Sequence, residues 1–170
     1  MNLTLLDIPW RLAPAPVAVR ADDRPARFEQ ANPPRPMSHE RSRLVALECA
    51  YLPTGGILSG DSFAQLLRQG LDQPISTLAR WIVDRDVVSF EVQGQIWLPM
   101  FQFEPPTLQV RHGVLTVVRE LRSVFDDLEL AEWFAHPNSF LGGQTPAVEV
   151  LRNEQAVLEV ARLDRFVAAG

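Results

Sequence analysis

The sequence predicts a mainly α-helical protein with one β-hairpin, an α+β fold whose C-terminal part is a small helical domain. Three observations predict this class. Apolar residues recur at helical spacing over most of the chain, they alternate with polar residues near residues 88–103, and they make up 46% of the 170 residues. A chain of this length and apolar content can fill a core of its own.

The first 37 residues predict an extended arm. Seven of the fourteen prolines lie in the first 36 residues, and proline lacks the donor that a helix or strand needs and restricts the residue before it. Near the start of this arm lies a group of apolar residues, Leu3, Leu5, Leu6, Ile8 and Trp10. That group could dock on the body of the protein or on a second subunit, and the sequence leaves both open.

A first domain is predicted over residues 38–106, and it begins with three helices. Ser38 can cap the first helix and Asp61 the second, whose left-handed exit suits Gly70. Pro74 precedes the third helix. Inward positions are expected at Leu44, Leu47 and Tyr51 in the first helix and at Ile75, Leu78, Trp81 and Ile82 in the third.

A β-hairpin is predicted next, because the apolar spacing changes to two. The first arm carries Val88, Phe90 and Val92, the turn lies at residues 93–95, and the return arm carries Ile96, Leu98 and Met100 and extends towards Phe103. Pro99 lies inside the return arm, and a proline there favours an edge strand.

Two short helices joined by a glycine-containing turn and followed by a hairpin resemble a winged helix-turn-helix. Such a unit could bind promoter DNA through Ser76, Thr77 and Arg80 at the front of the third helix. Residues 61–103 hold five acids against three arginines, which is a poor electrostatic footprint for a protein that reads a DNA groove. The sequence therefore leaves promoter binding open and favours a structural use of this region.

A second, helical domain is predicted over residues 107–170. Its helices are expected to begin at Val114, at Asp126 or Asp127, at Pro146 and after a cap at Asn153, with the last helix running to about Ala168. In the last helix the expected inward positions are Val157, Val160, Ala161 and Phe166. This domain is also the acidic part of the chain. Residues 120–170 hold nine acids and four arginines, whereas residues 1–119 hold twelve of each. The acidic surface could attract a basic cleft or could simply be solvated.

Residues 133–151 read WFAHPNSFLGGQTPAVEVL and carry the most specific pattern of the chain. Pro137 ends a helix, and Asn138 can accept a hydrogen bond from the backbone that follows it. Phe140 and Leu141 are expected to anchor the connector in the core. Gly142 and Gly143 permit a positive φ or a close approach of the backbone.

This stretch resembles the toxin-binding domain shared by the Xre, MbcA and ParS antitoxins. The family pattern is an aromatic-bearing helix, Pro-Asn, Leu-Gly-Gly or a variant, a polar residue, a proline, a short helix that ends in leucine, and a last helix that ends near a glycine. The matching positions here are Trp133, Pro137, Asn138, Leu141, Gly142, Pro146, Leu151 and Gly170. The resemblance covers about residues 130–170, extends more loosely over 85–130, and is weak before residue 85.

The resemblance implies an antitoxin that neutralises a partner toxin, often a RES-domain protein that degrades NAD, by covering its active site. It also implies a homodimer, and in many members a helix-turn-helix that binds the promoter. Toxin contacts are expected at Asn138, Leu141, Gly142, Gly143, Gln144, Glu159, Arg162, Leu163, Arg165, Phe166 and Gly170. An alternative interpretation is a winged helix-turn-helix regulator or promoter autorepressor.

Catalysis is not expected. The three histidines, His39, His112 and His136, lie far apart without metal-ligand spacing, and no glycine pair has the lysine of a phosphate loop, so we expect no metal, no cofactor and no enzyme activity. The single cysteine, Cys49, fits a reducing cytoplasm and is expected to be buried. No run of eighteen apolar residues is present, so no membrane span is expected.

Overall fold

The computed structural model describes residues 39–68 and 73–170. The predicted arm over 1–37, the predicted cap Ser38 and the predicted exit Gly70 lie outside the described residues. The described elements are α1 His39–Tyr51, β1 Ile57–Ser59, α2 Gly60–Leu67, α3 Pro74–Val83, β2 Phe90–Val92, β3 Gln95–Pro99, β4 Phe103–Glu104, β5 Gln109–Val110, α4 His112–Leu121, α5 Asp127–Ala135, α6 Pro146–Glu149 and α7 Glu154–Ala168. The fold is therefore mainly α-helical with a small antiparallel sheet, as predicted.

The main sheet has three antiparallel strands in the order β1-β3-β2. The two arms of the predicted hairpin pair with Phe90 opposite Trp97, and Gln93 and Gly94 form its turn with φ of 55° and 73°. A two-residue turn with positive φ at both positions matches the right-handed twist of the strands. From α1 to β3 the elements follow in the order helix, strand, helix, helix, strand, strand, with β1 beside β3.

The edge-strand prediction for Pro99 was wrong, because β3 is the central strand. Pro99 is the last residue of β3 and pairs with Ile57 on β1. The next backbone donor, the N–H of Met100, bonds the carbonyl of Gly56 at 2.9 Å. A proline at the strand end thus leaves the rest of the ladder intact. Strand β1 and the two-stranded β4–β5 sheet were not predicted.

Two details of the α2–α3 pair also differ from the prediction. Ser59 caps α2 in place of Asp61, since its hydroxyl accepts a hydrogen bond from the N–H of Ser62 at 3.2 Å. Ile75 was expected to face inward but is 60% exposed, whereas Leu78 in the same helix is buried. The outer face of α3 is therefore more apolar than predicted.

Two hydrophobic clusters fill the interior of the described residues. The smaller one lies between α2, α3 and the sheet and contains Phe63, Leu67, Leu78, Val87, Leu98 and Phe103. The larger one includes residues from both predicted domains: the ring of Phe101 lies 5.6 Å from that of Tyr51 and 5.0 Å from that of Phe134. The described residues accordingly form one compact unit, and the core shows no break at the predicted boundary between 106 and 107.

Gln102 secures the base of the hairpin from inside the core. Its side chain is fully buried, in a short 3-10 turn where the prediction extended the return strand. The amide oxygen accepts a 2.7 Å hydrogen bond from the N–H of Val88, and the amide nitrogen donates to the carbonyls of Val88 and Pro99. The buried amide of Gln102 is stabilising because both its oxygen and its nitrogen have hydrogen-bond partners.

Arginine side chains join the loop after α3 to the C-terminal helices. Arg85 donates to Oδ1 of Asp127 at 2.7 Å and to the carbonyls of Arg122 and Phe125. Asp86 accepts hydrogen bonds from Arg119 and Arg122, which hold the pKa of its carboxyl below the ordinary value. The two predicted domains are thus joined by polar contacts as well as by a shared core.

Cys49 was expected to be buried, and that prediction was wrong, because its side chain lies on the exposed face of α1. Among the described residues, no helix is both long and apolar enough to cross a membrane.

Candidate partner-binding site

The connector between α5 and α6 is a closed polar turn centred on Asn138. The side-chain oxygen of Asn138 accepts a 2.9 Å hydrogen bond from the N–H of Phe140. Its backbone N–H donates to the carbonyl of Gln144, and its carbonyl accepts from the N–H of Gly143, both at 2.9 Å. Gly142 and Gly143 have φ of 65° and 80°, which L side chains rarely adopt. The Pro-Asn and Gly-Gly pairs of the sequence thus belong to one turn closed by hydrogen bonds.

The two apolar residues of this turn face opposite ways. Leu141 is 8% exposed and belongs to the larger core cluster, whereas Phe140 is 73% exposed. The prediction that both residues anchor the connector in the core was therefore right for Leu141 and wrong for Phe140. In a single 3-10 turn, neighbouring side chains project about 120° apart, so burying Leu141 turns Phe140 outward.

The last helix, α7, packs against α4 through one face. Asn153 caps α7 by accepting a hydrogen bond from the N–H of Ala156 at 3.2 Å, as predicted. Val157, Val160 and Ala161 are buried on this face. The helices approach closely at Gly113 of α4, where an added Cβ would lie 2.9 Å from the Cβ of Glu154.

The final turns of α7 present an apolar strip to solvent. Leu163, Phe166 and Val167 are 53%, 80% and 77% exposed. Phe166 and Val167 follow Leu163 by three and four residues, so the three side chains lie within one turn of each other, beyond the last buried residue of α7, Ala161. We call these three residues the C-terminal strip. Large apolar side chains grouped on a surface are typical of a binding site, whereas single ones need no explanation.

Polar contacts hold α7 in place on both sides of this strip. The indole of Trp133 on α5 donates to Asp164 at 2.7 Å. On the other side, Nε of Arg165 lies 3.0 Å from Oε1 of Glu120, and Nε of Arg162 lies 4.0 Å from Oε2 of the same carboxylate. The strip is therefore displayed on a fixed helix, which lowers the entropy cost of binding a partner.

The predicted toxin contacts fall into three classes of exposure. Asn138 is half-buried and Leu141 is buried. The other predicted contacts are exposed: Gly142, Gly143, Gln144, Glu159, Arg162, Leu163, Arg165, Phe166 and Gly170. Leu141 therefore supports the turn from inside, and the two arginines are engaged with α4. Phe140 belongs to the connector 138–144, which was predicted to contact the toxin, although its side chain was expected in the core, and Val167 was missed as a contact candidate. Val167 lies seven residues after the buried Val160, so helical spacing alone predicts an inward position and gave no sign of its exposure.

The predicted DNA-contacting residues lie on α3. Ser76 and Arg80 are exposed, and Thr77 is half-buried with its N–H bonded to the carbonyl of Gln73. The same outer face carries Ile75, Ala79 and Val83. Among the described residues, no group of three or more histidine, cysteine or acidic side chains is placed to hold a metal ion.

Comparisons of the chain with known protein families, with curated proteins and with solved structures find no match.

Proposed function

We propose that this protein is the antitoxin of a two-gene toxin–antitoxin module and that it neutralises its toxin by covering the toxin's active site. The observation that carries the proposal is the C-terminal strip, Leu163, Phe166 and Val167, displayed on a helix that is fixed to the core. Blocking a cleft needs shape and burial but no catalytic group. The protein is accordingly proposed to be a cytoplasmic binding protein without enzyme activity.

The chemistry of the partner follows from charge and from the resemblance of residues 130–170 to the Xre, MbcA and ParS antitoxins. Residues 120–170 have nine acids and four arginines. A toxin that degrades NAD must hold a pyrophosphate and tends to do so with arginine or other basic groups. An acidic domain is steered towards such a cleft. We therefore propose a RES-domain toxin, with the C-terminal strip and the Asn138 turn as its contacts.

Co-expression tests this proposal. Expression of the neighbouring toxin gene should deplete cellular NAD and stop growth, and this chain should restore both and co-purify with the toxin. Phe166→Glu should abolish rescue and weaken the complex by about 30-fold or more, as for a central interface residue. Leu52→Glu is the matched control, because Leu52 is 70% exposed but lies after α1.

The outcome decides between two functions. A complex that forms equally well with Phe166→Glu would exclude the C-terminal strip as the contact surface. The absence of both rescue and complex would exclude the antitoxin function. A second candidate, a winged helix regulator or promoter autorepressor, is favoured by the order of elements from α1 to β3. This second function predicts that the protein retards a promoter fragment in a gel-shift assay and that Arg80→Ala abolishes the retardation.

A further inference from the structure

The outward side of α7 carries one acidic and two apolar side chains. Glu159, Leu163 and Phe166 are all exposed, and their spacing of four and three residues places them along one side of the helix. At 3.6 residues per turn this side lies opposite Val157 and Ala161, which are buried. We call the three exposed residues the outer face of α7. Because two of them also belong to the C-terminal strip, a partner that covers the strip meets the carboxylate of Glu159 as well.

The carboxylate of Glu159 faces solvent without a cation of its own. Its Oε1 accepts a 3.2 Å hydrogen bond from Nε2 of Gln155, and it forms no ion pair within the described part of the chain. Arg162 lies three residues further on, at a spacing that commonly gives ion pairs along a helix. That arginine is directed to a different carboxylate. Glu159 is thus the single charge of the outer face, and it is uncompensated.

Glu120 on α4 holds the two arginines of α7 to one flank. Its Oε1 lies 3.0 Å from Nε of Arg165, and its Oε2 lies 4.0 Å from Nε of Arg162. The side chain of Glu120 is only 18% exposed, so salt screens these contacts less than it would on an open surface. Arg162 and Arg165 are the only cations of α7. One partly buried carboxylate on a neighbouring helix therefore draws both guanidinium groups towards α4.

We infer that Glu120 is a positioning residue for toxin binding, which keeps Arg162 and Arg165 at the edge of the interface. Glu159 then meets the toxin's cleft as an uncompensated anion. This inference rests on the proposed function, which gives that cleft a basic lining. An arginine of the cleft can bond a carboxylate through two parallel N–H groups. The two apolar residues of the outer face would exclude water from this pair and so strengthen it.

The same arrangement assigns a new role to the two arginines of α7. The family resemblance implies that Arg162 and Arg165 contact the toxin. Held by Glu120, they lie beside the contact surface instead. Released from Glu120, they would place two positive charges next to a basic cleft and slow its approach.

Association kinetics test the inference, with the full chain and the purified product of the adjacent toxin gene. Surface plasmon resonance at about 50 mM and about 500 mM NaCl separates charge effects from packing, because salt screens exposed charges. Glu159→Gln should slow association by about fivefold at low salt and by less than about twofold at high salt. Glu91→Gln is the matched control. It removes the same charge from an exposed position on β2 and should leave the rate within about twofold of wild type.

The role of Glu120 is tested by removing it together with the arginines. Glu120→Gln should slow association by about fivefold at low salt, and adding Arg162→Gln and Arg165→Gln should restore the rate to within about twofold of wild type. Adding Arg68→Gln and Arg80→Gln instead gives the same net charge, but these residues lie at the end of α2 and on α3, so the rate should stay slow. If Glu120 only tied α7 to α4, removing the arginines would not restore the rate.

The outcomes separate this inference from the proposed function. A wild type that binds no toxin would overturn both. Where wild type binds, three results would overturn the inference and leave the antitoxin function standing: unchanged association of Glu159→Gln or of Glu120→Gln, a triple variant that stays slow, or slower binding when Arg162→Gln and Arg165→Gln are introduced alone. The last result would make the arginines direct toxin contacts. Circular dichroism checks the fold of each variant, and the variants at the exposed residues Glu159, Arg162 and Arg165 keep the test decisive where Glu120→Gln lowers stability.

Discussion

The indole Nε1 of Trp133 donates a hydrogen bond of 2.7 Å to Oδ2 of Asp164 and so ties α5 to the last helix. The bond lies just before the exposed residues Phe166 and Val167 on α7. The aromatic residue of the sequence pattern therefore has a structural role: it fixes the helix that displays the C-terminal strip.

Replacing Trp133 with Phe keeps most of the packing and removes the donor. We expect a loss of about 1.5–3 kcal/mol in the free energy of unfolding, the range for a hydrogen bond to a charged acceptor. Urea denaturation measures the loss. Asp164→Asn, which keeps an acceptor oxygen, should lose less than Trp133→Phe. Equal stability of wild type and Trp133→Phe would show that the bond contributes nothing.

Gly113 is required by the close approach of α4 and α7. A Cβ at this position would clash with the side chain of Glu154, so Gly113→Ala should destabilise the fold by about 1–3 kcal/mol. Gly60→Ala is the matched control, because its Cβ would meet Ile96 at an ordinary 3.7 Å. That change should be neutral or stabilise by up to about 1 kcal/mol. Thermal unfolding of the two variants tests this difference. Similar melting temperatures would contradict the steric argument.

Arg85 donates hydrogen bonds to three acceptors: the carbonyls of Arg122 and Phe125, between α4 and α5, and the carboxylate of Asp127 at the start of α5. Arg85→Ala should reduce stability by about 2 kcal/mol, since the guanidinium bonds Asp127 and two carbonyls at once. Arg85→Lys should recover less than half of this loss, because an ammonium group cannot reproduce the fork of donors. Arg85 has a positive φ of 51°, and arginine, lysine and alanine all carry a Cβ, so backbone strain should be similar in the three proteins. Full recovery by lysine in urea titrations would rule out the multidentate role.

Asp86 makes stability depend on pH in the acid range. Hydrogen bonds from Arg119 lower the pKa of its carboxyl below 3.8, and the charges of Arg119 and Arg122 lower it further. The folded state therefore binds this proton less readily than the unfolded state. The stabilisation is complete above the unfolded pKa and is lost as the pH falls through the folded pKa. Asp86→Asn should flatten the fall in unfolding free energy below about pH 5. Parallel urea titrations of wild type and variant check this, and identical slopes would exclude Asp86 as the titrating group.

Local signals predicted most of the helices. The start of α5 is an example: Asp126 and Glu129 satisfy each other's backbone donors in a capping box, which needs only neighbouring residues. The hairpin turn at Gln93 and Gly94 was found for the same reason. Strands β1, β4 and β5 were missed because each has two or three residues, too few to show alternation, and β1 also pairs with a segment distant in sequence.

The candidate site was predicted in part. Leu163 and Phe166 were predicted as toxin contacts and are exposed, but the prediction that Phe166 also faces inward was wrong. The exposure of Phe140 and Ile75 depends on tertiary packing. Both are large apolar residues beside buried ones, and spacing alone does not say which side of a short turn or helix meets the core. Leu141 matches the family pattern and was predicted as a toxin contact, but its side chain lies in the core.

The ring of Phe101 lies between Tyr51, whose hydroxyl donates to the carbonyl of Ala131, and Phe134. Each half of the described chain thus completes the interior of the other. A protease that cut near residue 106 would expose aromatic surface on both fragments, so neither should persist alone. Loss of the residues before the cut should then also impair α7, the helix that we propose binds the toxin.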